Sequence, residues 1–254
     1  MKPRHQNEPI PQPKDPMPSE TIATLVAAAR NNAEWCAAVC RSHDIAGAFG
    51  PKAWSSARRP PTYYPDAISL QPGAVFADLR LVPGAASPGC SIKDSFADID
   101  LAADGFDELF TAQWIHRPAG EPAPETPALR ADPVRPGDEL LDWQAAWHGG
   151  HDAPDIFRPA LLEDPAVVIL AVRDGVDLAG GIVLNHGVGF VGVSNLFAVD
   201  DSRIEGIWSS AITAAAVHFP GVPLIGYEQA DGLPPALSSR FTTIGELRVW
   251  LFRS

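Results

Sequence analysis

The chain has 254 residues and a mass of 27.1 kDa, enough for one large domain or two small ones with their own hydrophobic core. Its 19 basic and 31 acidic residues give a net charge of −12, which argues against nucleic acid and anionic membranes as partners, because binding to phosphate depends on lysine and arginine. No apolar run is long enough for a membrane helix, and the start lacks an apolar signal region. Three cysteines cannot all form disulfides, which is typical of a reducing compartment. We therefore expect a cytoplasmic protein that acts on small molecules or on other proteins.

The first part of the chain predicts an arm, a long helix and a few short strands. Residues 1–18 are rich in proline and polar, which is typical of a disordered arm. Ser19 is a good N-cap, and apolar side chains follow at helical spacing as far as Cys40, so we expect a helix that ends before Gly47. The segment 78–82 fits a helix or a strand. The predicted strands of this region are Ala67–Leu70, Ser91–Leu101 and Leu109–His116.

A linker is predicted in the middle of the chain. The segment from Arg117 to Pro127 contains four prolines and no large apolar residue. We therefore expect an N-terminal α+β region over residues 19–118, a linker over 119–128 and a second domain over 129–254.

The second domain has clearer periodicity. Its most regular element is Arg203–Phe219, where apolar residues recur on one helical face after an N-cap at Asp201 or Ser202. The dipeptide Asp174-Gly175 predicts a hairpin between two strands. The predicted strands are Leu129–Val134, Ala166–Val172, Val176–Leu184, Gly189–Val199, Leu224–Glu228 and Ile244–Phe252, and the other predicted helices begin near Asp138 and span Leu233–Ser239.

Two motifs resemble catalytic signatures but stand in the wrong context. Gly187–Gly192 satisfies G-x-G-x-x-G, yet these glycines lie in a predicted hairpin and lead into a strand, whereas a dinucleotide site needs them to open a helix. Ser194 stands two positions after Gly192, as in the first half of a G-x-S-x-G nucleophile elbow, but the closing glycine and the helix are missing. We expect neither site.

Two clusters are considered as metal ligands. Cys36, Cys40 and His43 have the spacing of one helical face, but both cysteines fall on the apolar face, which favours core packing. His148, His151 and Asp152 stand in a glycine-containing turn, for which a solvated polar turn is favoured over a metal-dependent enzyme. We predict no metal.

One resemblance points to a family. The strand–helix–strand–helix–strand run from Gly189 to Phe252 contains Arg203 and Gly206 at the spacing of [RQ]-x-x-G-x-[GA], immediately before a long amphipathic helix. The segment 239–245 keeps the phenylalanine and the second glycine of a GF-x-x-x-G ending. Residues 129–254 thus resemble the C-terminal half of the GNAT acetyltransferase superfamily. The resemblance implies an α/β (α+β) fold with a mixed, mostly antiparallel sheet flanked by helices; residues 19–118 are an α+β region or a second, degenerate half of the same kind.

The resemblance also implies a function. A GNAT protein transfers an acyl group, usually acetyl, from acetyl-CoA to an amine, here the amine of a small molecule or of a protein. Helix N–H groups that hold the coenzyme's pyrophosphate are expected in the Arg203–Gly206 loop. The implied contacts to acetyl-CoA are Asn195, Phe197, Val199, Arg203, Ile204, Gly206 and Ile207. Glu228 is the implied base, and Tyr227 is the second catalytic candidate, although strand alternation sends the two side chains to opposite faces.

Three departures from the family pattern support an alternative. Trp208 stands where the motif has glycine or alanine, and we expect an indole there to obstruct the pyrophosphate. Glu205 adds negative charge, and the last short helix has no tyrosine to protonate a departing thiolate. The alternative is a GNAT-fold protein without catalysis that binds a ligand or a partner. A homodimer through exposed sheet edges is compatible with either function.

Overall fold

The structure is a computed structural model that describes residues 18–81, 84, 86–150 and 152–253. Within these residues the chain forms four α-helices and eleven β-strands. The helices are α1 (Ser19–Ser42), α2 (Asp138–His148), α3 (Ile204–His218) and α4 (Leu233–Ser238). The strands are β1 (Gly47–Phe49), β2 (Ala53–Ser56), β3 (Ala67–Ser69), β4 (Ser91–Asp94), β5 (Phe106–Arg117), β6 (Arg130–Pro133), β7 (Val167–Asp174), β8 (Asp177–Gly187), β9 (Phe190–Ala198), β10 (Leu224–Glu228) and β11 (Thr242–Phe252).

All the strands belong to one sheet, in the order β1-β2-β3-β4-β11-β5-β10-β9-β8-β7-β6. Only β3–β4 and β9–β10 run parallel; the other neighbours are antiparallel. The predicted fold class, a mixed and mostly antiparallel sheet with helices, is therefore confirmed.

The two parts of the chain are interleaved in this sheet. Strand β5, from the N-terminal part, lies between β10 and β11, from the C-terminal part, and pairs with both. Strand β11 in turn pairs with β4. The predicted linker connects β5 to β6 along the chain, and the division into two domains at this linker stays a prediction.

Helices cover both faces of the sheet. On β8, Val183 packs in the cluster that contains residues of α1 and α2, whereas its neighbours Ile182 and Leu184 pack in the cluster that contains residues of α3 and α4. This follows from strand alternation, which sends successive side chains to opposite faces. The central strands are apolar on both sides for this reason.

The hairpin and helix predictions for the second part are confirmed. Strands β7 and β8 are joined at Gly175, and Gly187 ends β8 one turn before β9 begins, so the G-x-G-x-x-G motif lies in a hairpin. Ser194 lies inside β9. The N-terminal helix is also confirmed, with Pro18 rather than Ser19 at the N-cap position.

The predicted strand Ser91–Leu101 is wrong beyond Asp94. The buried carboxylate of Asp94 accepts hydrogen bonds from the backbone N–H groups of Phe96 (3.3 Å) and Ile99 (3.0 Å) and so stabilises a turn. Strands β1 and β2 were not predicted. The segment that fitted a helix or a strand forms a 3-10 helix at Phe76–Leu79, and Val82 at its end lies outside the described residues. The predicted arm also lies outside them, apart from Pro18.

Candidate functional site

The parallel strands β9 and β10 separate after two register pairs, Leu224↔Val191 and Ile225↔Gly192. Beyond these pairs β9 continues to Ala198 along β8, and β10 continues to Glu228 along β5. The edges that β9 and β10 turn towards each other are therefore not joined by a ladder there. An opening between two strands offers backbone N–H and C=O groups to an extended ligand.

A β-bulge shapes the β9 side of this opening. Between the pairs Gly181↔Phe197 and Val183↔Ser194, the residues Asn195 and Leu196 of β9 face the single Ile182 of β8. Asn195 has a φ of +50°, a left-handed conformation that asparagine adopts more readily than most residues. The bulge bends β9 at the point where it leaves β10.

A cavity of about 830 Å³ lies at this opening. Its wall includes Val193–Leu196 of β9, Tyr227 and Glu228 of β10, and the loop of residues 59–65. The wall also includes residues of α1, β4, β5 and β11, together with a loop before β4 and Trp147 of α2: Asn32, Trp35, Cys36, Pro88, Gly89, Ser91, Lys93, Leu109, Phe110, Trp147, Val249 and Leu251. Much of this wall is therefore contributed by the part of the chain before residue 118.

Two aromatic side chains from the N-terminal part hold Asn195. Nε1 of Trp35 donates a hydrogen bond to Oδ1 of Asn195 (3.2 Å), and the hydroxyl of Tyr64 donates to the same oxygen (3.5 Å). Burial raises the pKa of the Tyr64 hydroxyl well above its ordinary value, so this group stays protonated and remains a donor. Asn195 lines the cavity, but its side-chain oxygen is used inside the protein.

Tyr227 and Glu228 stand on different sides of β10, as strand alternation predicts. The Tyr227 ring packs edge-on against Trp114, at 5.6 Å between ring centroids, and lies 4.2 Å from Nζ of Lys93. The Glu228 carboxylate lies beside Gly232, where a Cβ would collide with its Oε2. Both residues border the cavity because β10 ends at this point.

The Glu228 carboxyl has the properties of a proton acceptor near neutral pH. Burial raises its pKa from 4.5 to about 7. A base whose pKa lies near the working pH is the most effective one, because it is deprotonated often enough and still binds a proton well.

The predicted pyrophosphate loop lies at the start of α3, which follows β9 along the chain. The Asp200 carboxylate accepts a hydrogen bond from the backbone N–H of Ser202 (3.0 Å), and this bond lowers the pKa of the Asp200 carboxyl. The carbonyl of Asp201 accepts a hydrogen bond from the N–H of Ile204. Arg203 donates to Asp174 at 2.5 Å. The N–H groups of Ser202 and Ile204 and the guanidinium of Arg203 therefore already have acceptors in the protein.

The segment that joins β5 to β6 packs against the same helix end. Thr126 donates through Oγ1 to Glu205 (3.2 Å) and accepts through its carbonyl from Ser209 (2.6 Å). A Cβ at Gly206 would lie 3.6 Å from the side chain of Leu129. Gly206 thus faces a segment of its own chain.

The remaining predicted contacts do not converge on one place. Ile207, on α3, is fully buried in the core beneath this helix, and Ile204 packs against the same cluster. Phe197 packs edge-on against Trp143, at 5.2 Å between ring centroids, on the α1 and α2 side, and Val199 is exposed. The structure brings together Asn195, Tyr227 and Glu228 at the cavity, and separately Arg203, Ile204 and Gly206 at the start of α3.

The indole of Trp208 is part of the core. It is 1% exposed and packs edge-on against Phe241, at 5.1 Å between ring centroids. The indole therefore does not lie over the helix end as an exposed obstruction.

The candidate metal ligands are accounted for differently. Cys36 and Cys40 are buried in the core, where desolvation raises the pKa of their thiols to about 11 and about 12, and Nε2 of His43 lies 2.8 Å from the carbonyl of Ile156. The core packing of both cysteines is thus confirmed. His148 lies 3.3 Å from the Tyr63 hydroxyl, and His151 lies outside the described residues. In the described part of the chain, no group of three or more His, Cys, Asp or Glu side chains is arranged to hold a metal.

No described helix has the length and apolar character to cross a membrane.

Two solved structures with a similar architecture are named as acetyltransferases. A GCN5-related N-acetyltransferase from Kribbella flavida superposes with a TM-score of 0.61 at 14% identity, over 89% of this chain and 96% of that one. The fold is GNAT-like. A protein assigned to the GNAT acetyltransferases from Novosphingobium aromaticivorans gives 0.55 at 12% identity over 89% and 99% of the two chains, and a Drosophila protein gives 0.53 at 12% over 91% and 90%. No family model matches the sequence, and no curated protein matches it.

The GNAT-like architecture extends beyond the half of the chain in which the sequence resembles the family, because the superposition covers 89% of the residues. The cavity residues before position 118, among them Asn32, Trp35, Tyr64 and Lys93, were not predicted as site residues. Only Tyr64 had a usable signal, as an aromatic residue in a proline-rich loop, since loops often carry binding residues. The other three look like ordinary helix and strand positions.

Proposed function

We propose that the protein is a GNAT-fold N-acyltransferase that accepts an amine in the cavity and an acyl thioester in the opening between β9 and β10. The observation that carries this proposal is the position of Glu228, whose carboxyl borders the cavity where the two strands separate. Acetyl is the acyl group that the structural neighbours' names suggest.

The chemistry asks little of the protein beyond positioning and proton transfer. The amine nitrogen attacks the thioester carbonyl carbon, an N–C bond forms, the C–S bond breaks, and the sulfur leaves as a thiolate that takes a proton from solvent. The proton of the amine goes to the carboxylate of Glu228, directly or through one water. The unpaired edges of β9 and β10 hold the amide groups of the donor's arm in extended form.

The start of α3 does not fit the diphosphate of acetyl-CoA. The N–H groups of Ser202 and Ile204 are already bonded to Asp200 and Asp201, and Glu205 adds a third carboxylate beside them. Arg203, the cation at this place, is paired with Asp174. A diphosphate here would therefore face net negative charge. In this proposal the donor is therefore recognised through its thioester arm.

Thiol release tests the proposal. Purified protein is incubated with an acetyl thioester and a panel of primary amines, and the free thiol and the N-acetyl product are measured between pH 5.5 and 9. We expect turnover that rises through about pH 7, and a Glu228→Gln variant that loses at least ~100-fold in rate together with this pH dependence. Glu20→Gln, an exposed site on the first turn of α1, is the matched control and keeps full activity. Turnover that Glu228→Gln leaves unchanged would contradict the role of Glu228.

The start of α3 favours a second candidate function, ligand binding without acyl transfer. If the coenzyme's diphosphate has no place, the cavity serves as a binding site for a small molecule only. In that case no thiol is released above the rate without protein, while amines or acids still bind in the cavity with measurable heat. This outcome would replace the first proposal.

A further inference from the structure

One lysine in the cavity is almost completely buried. Lys93, on β4, is 4% exposed and lies between the neighbouring strands, opposite Val249 of β11 and Ile68 of β3. Its side chain nevertheless belongs to the wall of the cavity. Lysine is rarely buried in this way unless its charge has a partner.

The contacts of Lys93 are neutral. Nζ donates to Oδ1 of Asn32 at 2.7 Å and lies over the ring of Tyr227 at 4.2 Å. Among the described residues, no carboxylate oxygen lies within 4.0 Å of this ammonium. An amide oxygen and an aromatic face orient an ammonium group but do not neutralise it.

The other ionisable groups of the cavity do not balance this charge. Arg59 already pairs with the buried Asp66 at 2.7 Å. Burial raises the pKa of the Cys36 thiol to about 11, so this neighbour is uncharged at neutral pH. Burial is also the cause that raises the pKa of Glu228, which indicates that this carboxylate is not stabilised by a nearby cation.

We propose that Lys93 binds a carboxylate of the acceptor, so that the substrate class is an amine that also carries a carboxylate, such as an amino acid. A bound carboxylate would pair with the ammonium of Lys93, for which the described residues provide no carboxylate partner. Asn32 and Tyr227 hold this ammonium in place. The aromatic side chains around it, among them Trp35 and Tyr64, suit an acceptor with an apolar body. This inference rests on the proposed function for the amine, but the carboxylate site itself is independent of acyl transfer.

Binding without any acyl donor tests the site. The twenty common L-amino acids and their C-terminal amides are compared by thermal shift, and the best pair is titrated calorimetrically. We expect at least one amino acid to bind 10-fold or more tightly than its amide. Equal binding of acid and amide across the panel, or no binding of any acid, would overturn the inference.

Two variants identify Lys93 as the cause of the preference. Lys93→Met removes the charge and keeps the length of the side chain, and Asn32→Asp places a carboxylate on Nζ without changing the shape. Both are expected to abolish the preference for the acid over the amide. Lys52→Met, at a half-exposed lysine that pairs with Asp78 outside the cavity, is expected to retain it. A preference that survives in both Lys93→Met and Asn32→Asp would overturn the inference.

Stability separates this role from a structural one. If Lys93 is an uncompensated charge kept for a ligand, Asn32→Asp melts at or above the temperature of the wild type in the absence of ligand, because it pairs the charge. A melting temperature well below the wild type would instead show that the amide contact is structural. Acyl transfer that proceeds equally with acids and amides would overturn this inference and leave the proposed function intact. Acid-selective binding without thiol release would support the carboxylate site and overturn the proposed acyl transfer.

Discussion

The indole of Trp35 on α1 donates a hydrogen bond to the side chain of Asn195 in the bulge of β9, across 160 positions of sequence. This contact joins the N-terminal helix to the strand that borders the opening. Because Asn195 has a positive φ, the hydrogen bond and the backbone conformation of the bulge depend on the same residue. The N-terminal part of the chain therefore helps to shape the opening as well as the cavity.

Replacing Asn195 separates the contribution of its hydrogen bond with Trp35 from that of its left-handed backbone conformation. Asn195→Ala and Asn195→Gly both remove the acceptor of Trp35, and an unsatisfied buried donor costs about 1–3 kcal/mol. Alanine also strains a left-handed backbone by about 1–2 kcal/mol, which glycine does not. We expect urea unfolding to show Asn195→Gly as the less destabilised variant by about 1 kcal/mol. An alanine variant at least as stable as the glycine variant would show that the bulge does not hold this conformation.

Glu228 makes stability depend on pH in an unusual direction for a carboxylate. The folded state raises its pKa from 4.5 to about 7, so the folded protein binds this proton more tightly than the unfolded chain does. The stability contributed by the group is full below pH 4.5 and is lost as the pH rises to about 7. We expect Glu228→Gln to gain stability relative to the wild type between pH 5 and pH 8, by at most about 3 kcal/mol. A difference between the two proteins that is constant over this range would contradict the raised pKa.

Gly232 keeps the space that the Glu228 carboxylate occupies. A Cβ at this position would collide with Oε2 of Glu228, and the backbone conformation of Gly232 is an ordinary one, with φ at −84°. Gly232→Ala is therefore expected to move the carboxylate at a cost in stability of less than about 1 kcal/mol. Acyl transfer should fall at least ~10-fold, since general-base catalysis depends on hydrogen-bond reach. Gly221→Ala, at a glycine with a positive φ and open space around it, is the control and strains only the backbone. An unchanged rate in Gly232→Ala would argue that Glu228 is not the base.

Truncation of the donor tests how it is recognised. Because carboxylates surround the start of α3 and Arg203 is already paired with Asp174, we expect the nucleotide of acetyl-CoA to contribute little binding. We expect S-acetyl-pantetheine to reach a kcat/KM within about threefold of that for acetyl-CoA, since only contacts made by the removed part are lost. A preference of ~100-fold or more for acetyl-CoA, about 2.7 kcal/mol, would show that the diphosphate is held after all.

Trp208 is expected to matter for stability and not for coenzyme exclusion. Truncation of a buried tryptophan leaves a large hole, so Trp208→Ala should lose about 3–5 kcal/mol of unfolding free energy. Val217→Ala, at a 72% exposed site on the same helix, is the control and should change stability by less than about 0.5 kcal/mol. Tight binding of acetyl-CoA that appears only in Trp208→Ala, with stability retained, would show that the indole plugs a coenzyme site.

The sequence predicts the second part of the fold well because its signals are local. In α3, apolar residues recur at helical spacing over several turns, β10 is a short apolar run between turn residues, and Asp174-Gly175 is typical of a hairpin. The helix, the strand and the hairpin are all confirmed. Strand β2 has no such signal, because its four residues are buried on both faces and do not alternate. The end of β4 depends on one buried carboxylate, that of Asp94, which looks like a surface residue in the sequence.

The candidate site divides in the same way. Glu228, Tyr227 and Asn195 are implied by the resemblance to the GNAT acetyltransferases, and the structure places all three at the cavity. Lys93 reaches the cavity only because β11 inserts between β4 and β5, a pairing between residues more than 150 positions apart. No local pattern reports such a pairing, since it is decided by packing of the whole sheet.

The most direct test is a crystal structure of the protein with a thioether analogue of acetyl-CoA that cannot transfer its acyl group. We expect electron density for the acyl arm between Asn195 and Glu228, with its amides bonded to the edges of β9 and β10, and no ordered diphosphate over the start of α3. An ordered diphosphate on the first turn of α3, or an analogue that binds away from the opening, would contradict this expectation.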